Sequence, residues 1–326
     1  MPSRSRSYWL TSSLMRPIEI IRSEITSTTP VQGPEQVKLD GAGQGGAVEL
    51  PLRSYKLIIA YDGSRFSGWQ RQSAVRTVQA TVEKAICTIT GDSHLHLLGS
   101  SRTDTGVHAL GQCATFRSRL WKSPAGNLPL AINSQLPDDV VVRAAVEVPI
   151  AFNPIKHARS KRYRYTVYAS RISDPIGRRQ SWWIKRPLNT DAMHQAARCL
   201  IGQHDFASFQ TSGSPRKSTV RTINAIEIAG IDCLDGQTIT IEIEANGFLY
   251  NMARSIAGTL VVAGLKRKPI TWVSDVLMAR QRKLAGPTAP AHGLCLLEIY
   301  YPESALKLAP ELAPELESDA ESDPCA

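Results

Sequence analysis

Hydrophobic residues recur along the middle of the chain with two spacings, one typical of strands and one typical of helices. Alternation or short apolar runs predict strands, whereas apolar residues three and four positions apart predict helices. The segments 220–228 and 238–243 are predicted to pair as a hairpin that turns at Asp235-Gly236. The predicted strands are 55–61, 95–98, 112–116, 140–148, 163–168, 220–228, 238–243 and 294–301, and the predicted helices are 77–89, 128–135, 191–200, 250–263 and 271–279.

This order of elements predicts an α+β protein with two lobes of similar size. The strand-and-helix character of residues 54–150 returns in residues 151–302 without clear repetition of the sequence itself. A cleft between the two lobes is the expected position of a functional site. Residues 1–53 lack sustained periodicity, and residues 303–326 repeat Ala-Pro-Glu-Leu and then turn acidic, so both ends are predicted to be disordered.

Charge is unevenly distributed along the chain. The net charge is +9 overall, but residues 303–326 contain seven acidic residues and one lysine, which leaves the rest of the chain at +15. A body this basic favours a polyanionic partner, with nucleic acid first. Charge that serves only solubility is the alternative, and charge alone does not separate the two.

The six cysteines are scattered without a Cys-x-x-Cys pair, and no histidine pair has metal-ligand spacing. Reduced thiols in a cytoplasmic protein are therefore expected, rather than a structural metal site or a disulfide framework. The longest apolar stretch, 256–265, is short for a bilayer and contains glycine, so no membrane partner is expected. The arginines and serines of residues 1–30 resemble a transit peptide only weakly, because Glu19 and Glu24 interrupt them.

Residues 101–109 read Ser-Arg-Thr-Asp-Thr-Gly-Val-His-Ala and are the strongest candidate for chemistry. A short polar turn can place Asp104 in a cleft where the backbone approaches a ligand closely. A nearby arginine such as Arg102 would keep this carboxylate ionised near neutral pH, as nucleophilic or base catalysis requires. The alternative is that Asp104 only caps a turn, as Asp-x-Gly often does.

Residues 61–72 form a glycine-containing segment in which aromatic residues and arginines are interleaved. This mixture, which includes Tyr61 and Arg71, suits a mobile arm on a nucleic acid. An ordinary hairpin loop with a buried Trp69 is the alternative.

Residues 161–165 read Lys-Arg-Tyr-Arg-Tyr, and their alternation predicts a strand with Tyr163 and Tyr165 on one face and the cations on the other. Such a tyrosine could stack on a base while Arg162 and Arg164 meet phosphates. Core tyrosines beneath a solvated basic face are the alternative.

Residues 247–254 end in Arg254, which lies early on an otherwise apolar predicted helix. A buried arginine needs an acidic partner, and Asp104 is the candidate. The alternative is that Arg254 faces water.

Together these patches resemble the tRNA pseudouridine synthase A family. The resemblance covers about residues 55–302 and rests on several separated motifs in the right order. They are Tyr-Asp-Gly…Gly-Trp-Gln-Arg-Gln, Arg-Thr-Asp-x-Gly-Val-His-Ala, Arg-Tyr-Arg-Tyr, Met-x-Arg-x-Ile-x-Gly and the closing Gly293-Leu294…Tyr301-Pro302.

The resemblance implies two α+β lobes that share one continuous mixed or antiparallel sheet, with helices on one side and a catalytic cleft between the lobes. It implies an isomerase that converts uridine to pseudouridine at positions 38–40 of the tRNA anticodon stem-loop. The N1–C1′ bond breaks and C5 joins C1′ without net redox change, so no cofactor is expected. A homodimer with tRNA bound across both subunits is also implied.

By position, Asp104 matches the catalytic aspartate of the family, and Arg254 matches the arginine that pairs with it. Tyr163 matches the tyrosine that stacks on the target base and helps to remove the C5 proton. Arg102 matches the arginine that occupies the space left by the flipped nucleotide. Three routes stay open for Asp104, which are attack at C1′, addition to C6 and base catalysis at C2′. The candidate substrate-binding residues are Tyr61, Arg71, Arg102, His108, Arg162 and Arg164.

The chain departs from the family pattern at two places. Ser100-Ser101 stands where Ala-Gly is common, which adds bulk and hydroxyls beside the site. Residues 152–155 read Phe-Asn-Pro-Ile where Phe-His-Ala-Arg is frequent, so an RNA contact is expected to come from elsewhere, with Lys156 or Arg159 as candidates.

Two other functions compete with this interpretation. Asp104-Thr105-Gly106 spells the aspartic protease triplet, but that chemistry needs two carboxylates sharing a proton, and Arg-Thr precedes the aspartate where apolar residues are expected. A non-catalytic tRNA-binding protein on the same fold would also be basic. Retention of Asp104, Tyr163 and Arg254 favours catalysis over binding alone.

Overall fold

The computed structural model describes residues 50–211 and 218–308. They form a ten-stranded mixed sheet in the order β4-β1-β3-β10-β5-β9-β8-β7, with β2 paired to β3 and β6 paired to β5. The strands are β1 Arg53–Tyr61, β2 Leu98–Gly99, β3 His108–Ser118, β4 Val140–Val148, β5 Ser160–Ser170, β6 Trp182–Ile184, β7 Gly202–Asp205, β8 Val220–Cys233, β9 Gly236–Ala245 and β10 Leu294–Tyr300. The helices are α1 Val78–Thr90, α2 Leu128–Asn133, α3 Thr190–Ala197, α4 Met252–Gly264 and α5 Trp272–Ala279. The predicted α+β class is confirmed.

Alternation in the central strands fixes which side chains enter the core. Ile239, Ile241 and Ile243 of β9 are buried, whereas Thr240 and Glu242 between them are half-exposed. The buried side of the sheet and the apolar sides of the helices share one hydrophobic cluster. Burial of that many apolar side chains is the main force that holds helices to the sheet.

The last strand joins the two halves of the chain in one sheet. Leu296 of β10 pairs in parallel with Ala109 of β3 and antiparallel with Tyr163 of β5. The beginning of β3 therefore lies two strands from β5, although the two are far apart in sequence. The predicted division into lobes at residue 150 stays a prediction.

Helix α4 is buried over almost its whole circumference, and its close packing depends on glycine. A Cβ on Gly258 would lie 1.8 Å from the carbonyl oxygen of Pro287, so no larger residue fits this crossing. The helix begins at Met252 rather than at the predicted 250, because Asn251 adopts the left-handed backbone conformation with φ 59°.

The hairpin of β8 and β9 turns one residue earlier than predicted. Cys233 pairs with Gly236, so Leu234 and Asp235 form the turn and Gly236 belongs to the strand. A Cβ on Gly236 would lie 2.3 Å from the carbonyl oxygen of Ala169 on β5, which makes glycine necessary for strand packing rather than for the turn. The strand predicted at 95–98 is also shifted, since β2 comprises only Leu98–Gly99.

The predictions for the chain ends fall mostly on residues that the structure does not describe. Of the predicted N-terminal extension, residues 50–53 are described, and β1 already begins at Arg53. Of the predicted acidic tail, residues 303–308 are described and include a short 3-10 helix at Glu303–Ala305. Within the described ranges no helix is long and apolar enough to span a membrane. The five cysteines in those ranges form no disulfide.

Candidate active site

The loop that carries Asp104 is fixed by a second loop that packs against it. Trp69 donates its backbone N–H to the carbonyl oxygen of Thr103 at 3.0 Å. A Cβ on Gly68, whose φ is +82°, would lie 2.7 Å from that same oxygen. The two backbones can approach this closely only because residue 68 is glycine.

A tight turn then directs Asp104 into the cleft. Val107 donates its N–H to the carbonyl oxygen of Asp104 at 3.1 Å, and Gly106 supplies the positive φ of +80° that the turn requires. Tyr61 lies beneath this loop, where its hydroxyl is 2.8 Å from Oγ1 of Thr103. Tyr61 was predicted to bind substrate; its side chain is buried and contacts the loop instead.

Arg254 meets the Asp104 carboxylate from the first turn of α4. Its Nη1 lies 3.5 Å from Oδ2 of Asp104, so the partner predicted from sequence is present. Arg254 also donates from Nε to the carbonyl oxygen of Ala289 at 2.7 Å and from Nη1 to Oδ1 of Asn251 at 2.7 Å. These bonds fix the guanidinium before any substrate arrives.

Burial raises the pKa of Asp104, and the positive charge of Arg254 together with its hydrogen bond opposes that rise. The sequence argument offered Arg102 as a cation that keeps the carboxylate ionised. In the structure Arg102 is exposed at the cleft, and the arginine that contacts Asp104 is Arg254.

Tyr163 forms another wall of the same cleft. Its hydroxyl is 2.9 Å from Oγ of Ser101, and its ring meets Phe248 in a T-shaped contact with centroids 4.9 Å apart. Burial, with the nearby charge of Asp104, raises the pKa of Tyr163 to about 12, so the phenol is neutral at physiological pH.

Asp104, Tyr163 and Arg254 line a single cleft of about 760 Å³. Its walls come from both halves of the chain, and Arg102, Lys161 and Tyr250 also face it. This volume lies within the range of small-molecule sites in proteins and accommodates a nucleotide. The cleft thus combines a carboxylate, an arginine fixed beside it and an aromatic ring.

Comparison with known proteins shows which family the chain belongs to. The family model described as tRNA pseudouridine synthase matches residues 57–155 and 196–302. The chain belongs to the tRNA pseudouridine synthase family. It is 45% identical over 250 residues to tRNA pseudouridine synthase A of Thermoanaerobacter sp. (strain X514), an alignment that covers 77% of this chain and 100% of that relative.

Other relatives agree with this assignment. The enzymes of the same name from Acetivibrio thermocellus and Geotalea uraniireducens are 41% and 40% identical, again over 77% of this chain and all of theirs. The protein is therefore a tRNA-modifying isomerase. This membership favours the synthase over the aspartic protease and over the non-catalytic binding protein.

The two arginines of the Arg-Tyr-Arg-Tyr motif lie on the opposite face of the synthase sheet from Tyr163. Arg164 forms an ion pair with Glu242 at 2.6 Å, and Arg162 lies within 3.6 Å of Glu227, Glu242 and Glu244. Phosphate contacts were expected of both arginines, but in the structure they neutralise carboxylates on neighbouring strands.

The alternation predicted that all the cations of this strand share the face opposite the tyrosines. Lys161 does not. Lys161 lies two residues from Tyr163, faces the cleft with it and donates from Nζ to the carbonyl oxygen of Ser100 at 2.7 Å. The replacement for the missing upstream arginine was expected at Lys156 or Arg159. Neither of these residues lines the cleft, whereas Lys161 does.

Two further predicted substrate-binding residues stabilise loops. Arg71 forms an ion pair with the buried carboxylate of Glu83. His108 is only 7% exposed, and its Nδ1 accepts the backbone N–H of Gly63 at 3.1 Å. The opposite ring nitrogen, Nε2, lies 2.8 Å from the carbonyl oxygen of Arg179.

Sequence reasoning gave no role to three residues that shape the site, which are Phe248, Asn251 and Gln112, although the first two lie in the segment 247–254 that it singled out. Asn251 carried one usable signal, because asparagine is among the non-glycine residues that most often adopt a positive φ. Gln112 carried none, since its contact with the Asp104 loop depends on strand packing.

Proposed function

We propose that this synthase converts uridine to pseudouridine in the anticodon stem-loop of tRNA, at positions 38–40, and that Asp104 is its catalytic carboxylate. The observation that supports this most directly is the convergence of Asp104, Arg254 and Tyr163 in one cleft. A uridine in a stem must leave the base stack before it can react, and a cleft with an aromatic wall can receive the flipped base.

Each residue has a role that follows from its position. Asp104 is half-buried and reaches the cleft, so its carboxylate can approach the ribose or the uracil by any of the three open routes. Arg254 keeps the carboxylate in place and favours its charged form. The ring of Tyr163 can stack on the base, and the exposed side chain of Arg102 can occupy the space that the flipped nucleotide leaves.

The experiment uses unmodified tRNA transcripts with uridines in the lower anticodon arm and no added cofactor. Pseudouridine is mapped by carbodiimide-adduct primer extension after incubation with wild type, Asp104→Ala or Asp104→Asn. Wild-type-dependent stops in that arm, absent with both variants, are expected. Affinity for tRNA should stay within a few-fold, because phosphate contacts dominate binding.

Asp138→Asn is the matched control, since Asp138 is an exposed carboxylate away from the cleft. It should modify tRNA like the wild type. Stops outside positions 38–40 would contradict the proposed region, and activity in Asp104→Asn would contradict the proposed role of the carboxylate.

We further propose that the synthase is a cytoplasmic homodimer that binds one tRNA across two subunits. The family resemblance supports the dimer, and the tRNA substrate supports the location. Light scattering during size-exclusion chromatography tests the dimer. A complex whose mass corresponds to one chain and one tRNA would contradict it.

A further inference from the structure

The hydroxyl of Ser101 contacts the hydroxyl of Tyr163 inside the cleft. The two oxygens are 2.9 Å apart, and both side chains are less than a tenth exposed. This serine is one of the two that stand where the family commonly has Ala-Gly, and neither alanine nor glycine could form the contact.

Ser101 is itself fixed by the side-chain amide of Gln112 on β3. Its backbone N–H donates to Oε1 of Gln112 at 3.2 Å, and its carbonyl oxygen accepts from Nε2 at 2.6 Å. Gln112 is fully buried. Because both backbone groups of Ser101 are bonded to one buried side chain, its Cβ and hydroxyl have a defined position.

The Tyr163 ring is thus restrained at two points. Phe248 meets the ring in a T-shaped contact at 75°, and Ser101 bonds the hydroxyl at the far end of the ring. A base stacked on Tyr163 would follow any tilt of this ring. Since Asp104 lies on the loop before β3 and Tyr163 on β5, such a tilt would change the distance between the carboxylate and the reacting atoms.

We propose that Ser101 is a positioning residue of this synthase, which acts through the Tyr163 hydroxyl to fix the ring against which the target uracil lies. The inference rests on the proposed role of Tyr163 in the cleft. It gives a function to the departure at Ser101, because the added hydroxyl lies against Tyr163 rather than in open space.

The test is a double-mutant cycle of Ser101→Ala and Tyr163→Phe. Turnover is followed by tritium release from tRNA labelled at C5 of uridine, since the C5 proton is lost as C5 joins C1′. We expect Ser101→Ala to lower kcat by about three- to tenfold, the range that one neutral hydrogen bond supports, with KM within about twofold. In the Tyr163→Phe background the same change should alter kcat by less than about 1.5-fold.

Ser100→Ala is the matched control within the same loop. Its hydroxyl donates to the carbonyl oxygen of Pro154 at 2.6 Å rather than to Tyr163, so kcat should change by less than about twofold. A second variant, Ser101→Gly, restores the common family residue and should reproduce the kcat of Ser101→Ala. Melting temperatures of all variants separate a local effect from loss of the fold.

An unchanged kcat in Ser101→Ala would overturn the proposal. An equal loss in the wild-type and Tyr163→Phe backgrounds would also overturn it, because the serine would then act by another route. The cycle is measured at whichever uridine the wild type converts. A wrong assignment of positions 38–40, or of Asp104, would therefore appear in the mapping experiment and leave this result readable.

Discussion

Arg254 meets Asp104 across 150 residues of sequence, with Nη1 of the arginine 3.5 Å from Oδ2 of the aspartate. The arginine comes from the first turn of α4 and the aspartate from the loop before β3. The two segments belong to opposite halves of the chain, which β10 joins by pairing with both β3 and β5. The ion pair therefore depends on the correct assembly of the whole domain.

Replacement of Arg254 by glutamine should slow turnover and shift its pH dependence. The charge of Arg254 opposes the rise in the pKa of Asp104 that burial causes. Without that charge the pKa of Asp104 rises further, so less of the carboxylate is ionised at a given acidic pH. We expect kcat to fall at least about tenfold, as for loss of a charged hydrogen bond.

The measurement is kcat as a function of pH from acidic to neutral conditions. The acid limb of the glutamine variant should lie at higher pH than that of the wild type. Arg254→Lys keeps the charge and should shift the limb less. An acid limb that does not move in Arg254→Gln would show that Asp104 does not control it.

Replacement of Arg162 by glutamine should affect stability and leave tRNA affinity unchanged. This arginine lies among Glu227, Glu242 and Glu244 on the face opposite the cleft. Its loss leaves three carboxylates close together, which should lower the free energy of unfolding by about 1 kcal/mol. Chemical denaturation checks this value.

Lys161→Gln is the comparison, because Lys161 immediately precedes Arg162 on the same strand and faces the cleft. It should weaken tRNA binding and reduce the slope of log K against log salt concentration by about 1. If Arg162→Gln weakens binding as much as Lys161→Gln does, the sheet face that carries Arg162 also contacts RNA.

The sequence was sufficient to predict the five helices, eight of the ten strands in the described part of the chain and the three residues that meet in the cleft. It did not predict the short strands β6 and β7, and it shifted β2. Asp104, Tyr163 and Arg254 each carried a local signal, which was a polar Asp-x-Gly turn, an alternating strand and a cation on an apolar helix. Each signal depends only on residues close in sequence, so the sequence pattern is enough to detect it.

The roles of the surrounding cations could not be predicted in the same way. Arg71 and Arg162 are exposed or half-exposed and resemble phosphate ligands in sequence, yet each is paired with glutamate. Their partners lie on other strands or on a helix, and the register that brings them together is a tertiary property. Composition predicts how many cations the chain carries, whereas the strand register determines which cationic side chains line the cleft.

Glu83 connects helix α1 to the segments that contain Arg71 and Leu97, and its replacement tests whether it stabilises them. Its buried Oε1 accepts the backbone N–H of Leu97 at 2.9 Å and the Nε2 of Gln79 at 3.2 Å, and its carboxylate pairs with Arg71. Glu83→Gln removes the charge and leaves the partners imperfectly satisfied. We expect the free energy of unfolding to fall by about 1–3 kcal/mol.

Thermal and chemical denaturation measure this loss, with Lys84→Gln as a neighbouring exposed control on the same helix. The control should stay within about 0.5 kcal/mol of wild type. A Glu83→Gln variant as stable as the control would contradict a structural role and return Arg71 to the candidate RNA ligands.

Gly68 tests whether the position of Asp104 depends on close contact between backbones. A Cβ at residue 68 would meet the carbonyl oxygen of Thr103 at 2.7 Å, where the φ of +82° is also unfavourable for alanine. Gly91 is a matched control, because its φ is +73° but a Cβ there would have nothing within 4 Å. Gly91→Ala therefore isolates the backbone strain, about 1 kcal/mol, from the steric contact.

We expect Gly68→Ala to lower kcat at least about tenfold even where the protein remains folded, because the added methyl group displaces the loop that carries Asp104. Gly91→Ala should lower the melting temperature slightly and leave kcat near wild type. The measurements are kcat and single-turnover rates at a temperature where both variants are folded. Equal kcat values for the two variants would show that the Asp104 loop tolerates displacement by the Gly68 segment.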